Sequence, residues 1–173
     1  MAIQRTSAFA PAIAPAFQRL DQHDLKILSA LQGDARLTNA ELAEQVGLSL
    51  SPCWRRLKRL EADGVIEGYQ ARLNRTALGL GVTAFVRIDL ERHSAVAAKR
   101  FEEAVQNIPE IIACHTISGE GTFMMTVVAT SLEAYSKFAL ETIINLPGVK
   151  DMHSSFSLKQ VKNSAQLPLT VLR

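Results

Sequence analysis

The chain has 173 residues, with 19 Lys+Arg against 17 Asp+Glu for a formal charge of +2, and it is 47% apolar and 21% charged. At about 100–200 residues per domain this admits one medium domain or two small ones, and the ordinary apolar fraction excludes wholesale disorder. No run reaches the ~18 apolar residues that span a bilayer, which argues against an integral membrane protein. Two cysteines, Cys53 and Cys114, are too few for a disulfide framework and read as buried thiols of a reducing compartment.

In chain order, Ser7 to Phe17 is apolar but broken by Pro11 and Pro15. A secretory segment needs an unbroken apolar stretch behind basic residues. Residues 1–19 therefore read as a flexible Ala/Pro-rich arm and the protein as cytoplasmic. A first helix follows, with Asp21 as N-cap and Leu25, Leu28 and Leu31 on one face. The second has the clearest start: Thr38-Asn39-Ala40-Glu41 is a capping box, Leu37 and Leu42 form a hydrophobic staple, and Gly47 closes the helix. The third is expected to begin at Ser51, with Pro52 in the first helical position, and to stop at Gly64. On a 100° wheel its Cys53, Leu57 and Leu60 form a core stripe within ~40°. Ser51, Arg55, Lys58 and Arg59 project to the opposite side, and Trp54 and Arg56 sit on the shoulders. Val65-Ile66 and Tyr69 to Leu73 flank Gly68 and predict a short hairpin, or wing.

Turn chemistry at Asn74, Gly79 and Gly81 marks a linker over 74–81. Beyond it lies an internal repeat: Asn107-Ile108-Pro109 returns as Asn145-Leu146-Pro147, an offset of 38 residues shared by Phe85 and Phe123. Val82 to Leu90 alternates as a strand. Ala97, Phe101, Ala104 and Ile108 mark a helix, and Ile111 to Ser118 a second strand. In the second copy Thr122 to Ala129 is a strand, Leu132, Tyr135, Ala139, Ile143 and Leu146 mark a helix, and Met152 to Leu158 closes it. Two such units predict a ferredoxin-like βαββαβ sandwich over 82–160. The fold class is therefore α+β: a winged helix-turn-helix over 20–73, the linker, the sandwich, and a C-terminal tail over 161–173.

Two helices joined by a Gly-containing turn, the second basic on its outward face, point to DNA binding. No acid occurs between Glu44 and Glu61, whereas Arg55, Arg56, Lys58 and Arg59 crowd into five positions. Arginine offers a planar fork for phosphate or the guanine edge, and a helix fits the major groove. Arg55 and Arg56 lie early in their helix, where the macrodipole disfavours cations, so an external anion such as DNA phosphate is the expected compensation. Ser49, Ser51 and Arg56 are candidate backbone anchors, Arg55 and Arg59 base or phosphate contacts, and Arg36 and Asn39 further phosphate contacts. Trp54 fits either a thymine methyl or sugar on DNA or packing against the first helix. Signals for catalysis are poor. His23, His93, His115 and His153 show no metal-ligand spacing, and no HExxH, GxSxG, P-loop or GxGxxG occurs. Neither an enzyme nor a metal or cofactor site is expected, and Cys53 and Cys114 read as packing residues.

The run Leu42-Ala43-Glu44-Gln45-Val46-Gly47-Leu48-Ser49, followed by Ser51-Pro52-Cys53-Trp54-Arg55-Arg56-Leu57-Lys58-Arg59-Leu60-Glu61, closely resembles the Lrp/AsnC (feast/famine) transcriptional regulators. The likeness extends from Leu20 to Leu169 and includes Gly64-Val65-Ile66, Leu146-Pro147-Gly148-Val149 and Ser154-Ser155-Phe156. It implies a regulatory amino-acid-metabolism (RAM) domain after the helix-turn-helix, a homodimer formed through the RAM sheets, and in many members four dimers in a ring, an octamer. It also implies an amino-acid effector near the turn between the second and third RAM strands, here Gly119, Glu120, Gly121 and Thr122, with Ser154 as a further candidate; the same residues also suit a plain hairpin. Members commonly carry an acid where Thr122 stands and a bulkier residue where Gly121 stands, which leaves Glu120 as the nearest acid. The implied function is a sequence-specific, DNA-binding transcriptional regulator modulated by an amino acid, with double-stranded DNA as partner and no membrane. A low-specificity nucleoid-like protein and a stand-alone amino-acid sensor are the alternatives.

Overall fold

The computed structural model describes residues 20–91, 94–119, 121–164 and 166–172. The Ala/Pro arm, His93 and Glu120 lie outside them. The described residues form two compact units: one runs up to Ala71 and takes in those from Asn163 onward, and the other lies between Arg72 and Lys162.

The first unit contains α1 (Gln22–Gly33), α2 (Asn39–Val46) and α3 (Leu50–Ala62). Asp21 caps α1 as expected and does so reciprocally, since its carboxylate accepts from the Asp24 N–H while the Asp24 carboxylate accepts from the Asp21 N–H. Ile27 and Leu28 hold the centre of the buried face, whereas Leu25 is only half-buried. The Thr38–Glu41 capping box forms, and Leu37 packs against the cluster that buries Leu42. Gly47 ends α2 in the left-handed region at φ 71°, where a side chain would be strained.

Helix α3 starts earlier than the Ser-Pro pair suggests. Ser49 is its N-cap, and Pro52 occupies the third helical position. The first N–H groups of a helix have no internal acceptor, so proline costs no hydrogen bond anywhere in that turn. The expected hairpin does not form as a strand ladder: residues 67–73 have no regular structure. The N–H groups of Val65 and Ile66 instead donate to the Leu60 carbonyl at the end of α3, while their side chains pack on the helical core. The Tyr69 hydroxyl donates to Glu61. Partial burial and that carboxylate push the Tyr69 phenol up to about 12.

Residues near the C-terminus complete this unit. The Leu167 N–H donates to Gln32 Oε1 at 2.6 Å, Gln32 Nε2 donates to the Leu167 carbonyl at 3.3 Å, and Gln166 Nε2 donates to the Gln32 carbonyl at 3.1 Å. Leu169 packs against the helical core.

The second unit has β1 (Val82–Leu90), α4 (Ala95–Val105), β2 (Ile111–Thr116), β3 (Phe123–Ala129), α5 (Leu132–Glu141) and β4 (Val149–Phe156), with a 3₁₀ turn at Ile143–Asn145. The sheet order is β2-β3-β1-β4 and every pairing is antiparallel, the topology of two split βαβ units. Strand β4 begins at Val149 and ends at Phe156, a shift toward the N-terminus from the Met152 to Leu158 expected. Ala84, Val86, Ile88, Phe101, Phe123, Met125, Val127, Tyr135, Ala139 and Ile143 form one core, in which Phe101 stacks on Phe123 at 4.6 Å. Leu132, assigned by its spacing to the buried face of α5, is exposed.

The Phe85–Phe123 equivalence fails for a geometric reason. In β1 the even-numbered residues face the helices, in β3 the odd-numbered ones, so Phe123 is buried and Phe85 lies 44% exposed on the opposite face. Side chains alternate across a strand, and an even offset therefore pairs the wrong faces. An offset of 37 matches Val86 with Phe123 and the N-caps Ser94 and Ser131. Ile143–Asn145 adds a residue before the second Asn-Leu-Pro, restoring 38. No helix among the described residues is long and apolar enough to cross a membrane. Phe101→Ala should destabilise the second unit by about 3–5 kcal/mol, the cost of a large core truncation, read as a lower urea midpoint.

Candidate nucleic-acid interface and effector turn

The turn at Gly47 carries the chain from α2 to α3, and Cys53, Leu57 and Leu60 seat α3 on the core with Ile27, Leu28, Leu42 and Val46. Its other face is presented to solvent, as the wheel requires. Burial pushes the Cys53 thiol above its ordinary value, which suits a packing residue. Cys114 is held at about 11 by burial and by the Glu102 charge.

The four cations of α3 are not equivalent. Asp24 is fully buried, and its carboxylate accepts from Arg56 Nη1 at 2.9 Å and from Arg59 Nη2 at 2.6 Å. Arg56 Nη1 also donates to Asp21 at 2.6 Å. Partial burial opposes ionisation of Asp21, but the Asp24 N–H, Arg56 and the His23 N–H outweigh it and hold its carboxyl below the ordinary value. The hydrogen bonds to Asp21 and Asp24 raise Arg56. The anion that compensates Arg56 is thus internal, which corrects the expectation that DNA phosphate must supply it. Arg56 also lies in the second turn, where the helix dipole has weakened.

Lys58 Nζ donates to Glu61 at 2.6 Å across one turn, with its side chain about half exposed. Arg55 is exposed and, among the described residues, has no ion-pair partner. It lines a shallow groove of about 440 Å³ with Asn39, Leu50, Ser51 and Trp54. Ser49 makes no side-chain capping bond. Arg36 lies apart, its guanidinium forked onto Asp34 through two 3.0 Å bonds that hold the Asp34 carboxyl at about 2.

In the second unit, Gly119 and Gly121 both adopt positive φ in the turn that returns β2 to β3. A Cβ on Gly121 would lie 2.5 Å from Arg87 Cγ, so the Arg87 stem passes directly under the turn. The Thr122 N–H donates to the Ile88 carbonyl at 2.7 Å. Ser154 does not join this group. It faces the helix side of β4, bonded to the Tyr135 hydroxyl, and β1 lies between β4 and the turn-bearing β3.

Residues 20–67 match a family described as winged helix-turn-helix DNA-binding, and residues 83–167 match the Lrp/AsnC ligand binding domain. The chain is 39% identical over 87% of its length to the DNA-binding transcriptional activator DecR of Escherichia coli K12, covering 99% of that protein. It is 41% identical over 87% of its length to the Bkd operon transcriptional regulator of Pseudomonas aeruginosa, covering 98%. The solved structure of the Neisseria meningitidis transcriptional regulator NMB0573 in complex with L-Met superimposes with a TM-score of 0.85 at 42% identity, over 89% of this chain and 99% of that one. The chain belongs to the Lrp/AsnC family of transcriptional regulators.

Within this Lrp/AsnC chain, the roles of Asp24, Arg87 and Tyr135 escape a sequence reading. Each acts through a partner distant along the chain. The only local signal for Asp24 is its position three residues after an N-cap acid, which by itself indicates a capping box. Asp24→Asn should lower stability by up to about 3–5 kcal/mol, the range for breaking a buried pair, with Arg56 and Arg59 partly rescued by water; Asp21→Asn should cost less, both read by urea unfolding at pH 7. The depressed Asp21 and Glu41 carboxyls contribute stability that is complete above the ordinary carboxylate pKa and disappears as pH falls through their folded values. Acid unfolding below about pH 4 should therefore flatten in Asp21→Asn, read by circular dichroism.

Proposed function

We propose that this transcriptional regulator acts as a homodimer, placing two copies of α3 in successive major grooves of pseudo-palindromic DNA about one helical turn, or a multiple of it, apart. The observation that carries this reading is the solvent-facing row of Ser51 and Arg55 on a helix whose opposite side is locked into the core. Arg55 is the leading base or phosphate contact. Ser49, Ser51, Asn39, Lys58 and Arg36 serve the backbone, with Lys58 and Arg36 first exchanging a carboxylate for a phosphate. Arg56 and Arg59 act mainly by holding α3 in place, and Arg59, the more exposed of the two, keeps a secondary phosphate role.

Self-association uses the sheet face opposite the helices, where Phe85 and Ile112 are exposed and water-facing apolar area favours a partner. Four dimers in a ring are the larger assembly. The effector is an amino acid at the Gly119–Thr122 turn. Support comes from the matched ligand-binding family and from the L-Met carried by the Neisseria relative. Its action requires tighter binding to one assembly than to another. The protein is proposed to be a cytoplasmic regulator without catalytic activity.

A footprint on the DNA upstream of its own coding region, with and without a panel of amino acids, tests these assignments together. Protection should recur at helical spacing and change with one amino acid; protection indistinguishable from that on random DNA would favour an architectural role. Arg55→Ala should weaken binding by about 1–3 kcal/mol and, if the contact is to phosphate, reduce the slope of log affinity against log salt by about one.

A further inference from the structure

Two of the larger apolar side chains in the first unit are left in water on its basic helix. Leu50 is 54% and Trp54 47% exposed, and both line the groove shared with Asn39, Ser51 and Arg55. All five residues come from α2 and α3, and the exposed half of Trp54 faces this groove.

Leu50 and Trp54 are four residues apart and lie one above the other on the helix surface. Ser51 and Arg55 form the adjacent row, one position further round. The two rows run side by side, one apolar and one polar. Four residues of helix rise about 6 Å, a little under two base-pair steps of about 3.4 Å. In the major groove only thymine offers an apolar group, its 5-methyl, and only guanine offers the paired O6/N7 acceptors that fit an arginine fork. The groove has cationic Arg55 and neutral polar Asn39 and Ser51 around its apolar floor, and no acid precedes Glu61 in α3. That charge pattern complements a polyanion.

We propose that Leu50 and Trp54 read thymine methyl groups within one or two base pairs of a guanine held by Arg55, so that each half-site is a thymine-guanine element. The inference rests on the DNA-binding reading above and adds the bases that are recognised. Loss of one buried methyl costs about three- to fivefold in affinity, so an element with two contacted thymines should lose about tenfold or more.

The test uses the full chain and duplexes recovered from a randomised 20-base-pair pool after repeated rounds of binding. The recovered duplex is then synthesised with thymine or with uracil, which removes the methyl and leaves base pairing intact. The thymine form should bind at least about tenfold more tightly. Trp54→Ala, at an exposed position, should retain its circular dichroism spectrum while its thymine-to-uracil ratio falls toward that left by Leu50 alone. Leu50→Ala together with Trp54→Ala should bring the ratio to about one while preserving the salt dependence. Equal affinity of the unaltered chain for the two duplexes overturns this inference alone. A chain that retains no duplex from the pool at low salt overturns the DNA-binding reading and this inference with it.

Discussion

One buried carboxylate ties α3 to α1. Asp24 takes Arg56 on one oxygen and Arg59 on the other, and those arginines lie three residues apart on the same side of α3. Two bonds to one fixed acid resist both rolling and sliding of that helix against α1. An isolated charge in this position would be untenable; with two guanidinium partners and the Asp21 N–H it is satisfied. The apolar stripe of Cys53, Leu57 and Leu60 decides which side of α3 meets the core, but apolar contacts tolerate small rolls and slides because they are not directional. The carboxylate adds directional bonds that hold the helix at one setting within that range.

The cationic count of α3 therefore overstates its free charge. Arg56 and Arg59 are engaged with Asp24, and Lys58 with Glu61, which leaves Arg55 as the cation most ready to meet an incoming anion. Engaged cations can still exchange partners at their exposed edges, but each exchange gives up an existing bond. Under the proposed docking of α3 on DNA, this arrangement favours discrimination between sequences, because phosphate attraction is indifferent to sequence.

Much of the fold was legible because its signals are local. Thr38 and Glu41 form a capping box from four consecutive residues, Gly47 marks a left-handed position, and the alternation of Ala84, Val86, Ile88 and Leu90 survives intact. What was not legible depends on distance or on competition. The Ser51-Pro52 pair resembles a helix start because proline is tolerated throughout the first turn, and Ser49 claims the cap. Val65 and Ile66 have strand character, yet their N–H groups are taken by the Leu60 carbonyl. The Phe85–Phe123 match obeyed sequence identity and violated pleat parity. At the candidate site, the basic face and its residues could be listed from the helical wheel, but the division into locked and available cations could not, because Asp24 lies more than thirty residues away from the arginines it holds.

Gln32 grips Gln166 and Leu167 from the far end of the chain. The sheet-bearing unit is consequently an insertion, entered and left by polypeptide that belongs to the helical unit. During synthesis the helices emerge before the sheet unit, and Leu169 can join their core only after the whole of that unit has been made. Removing Gln166, Leu167 and Leu169 would strip packing from the helical unit and leave the core of the sandwich untouched.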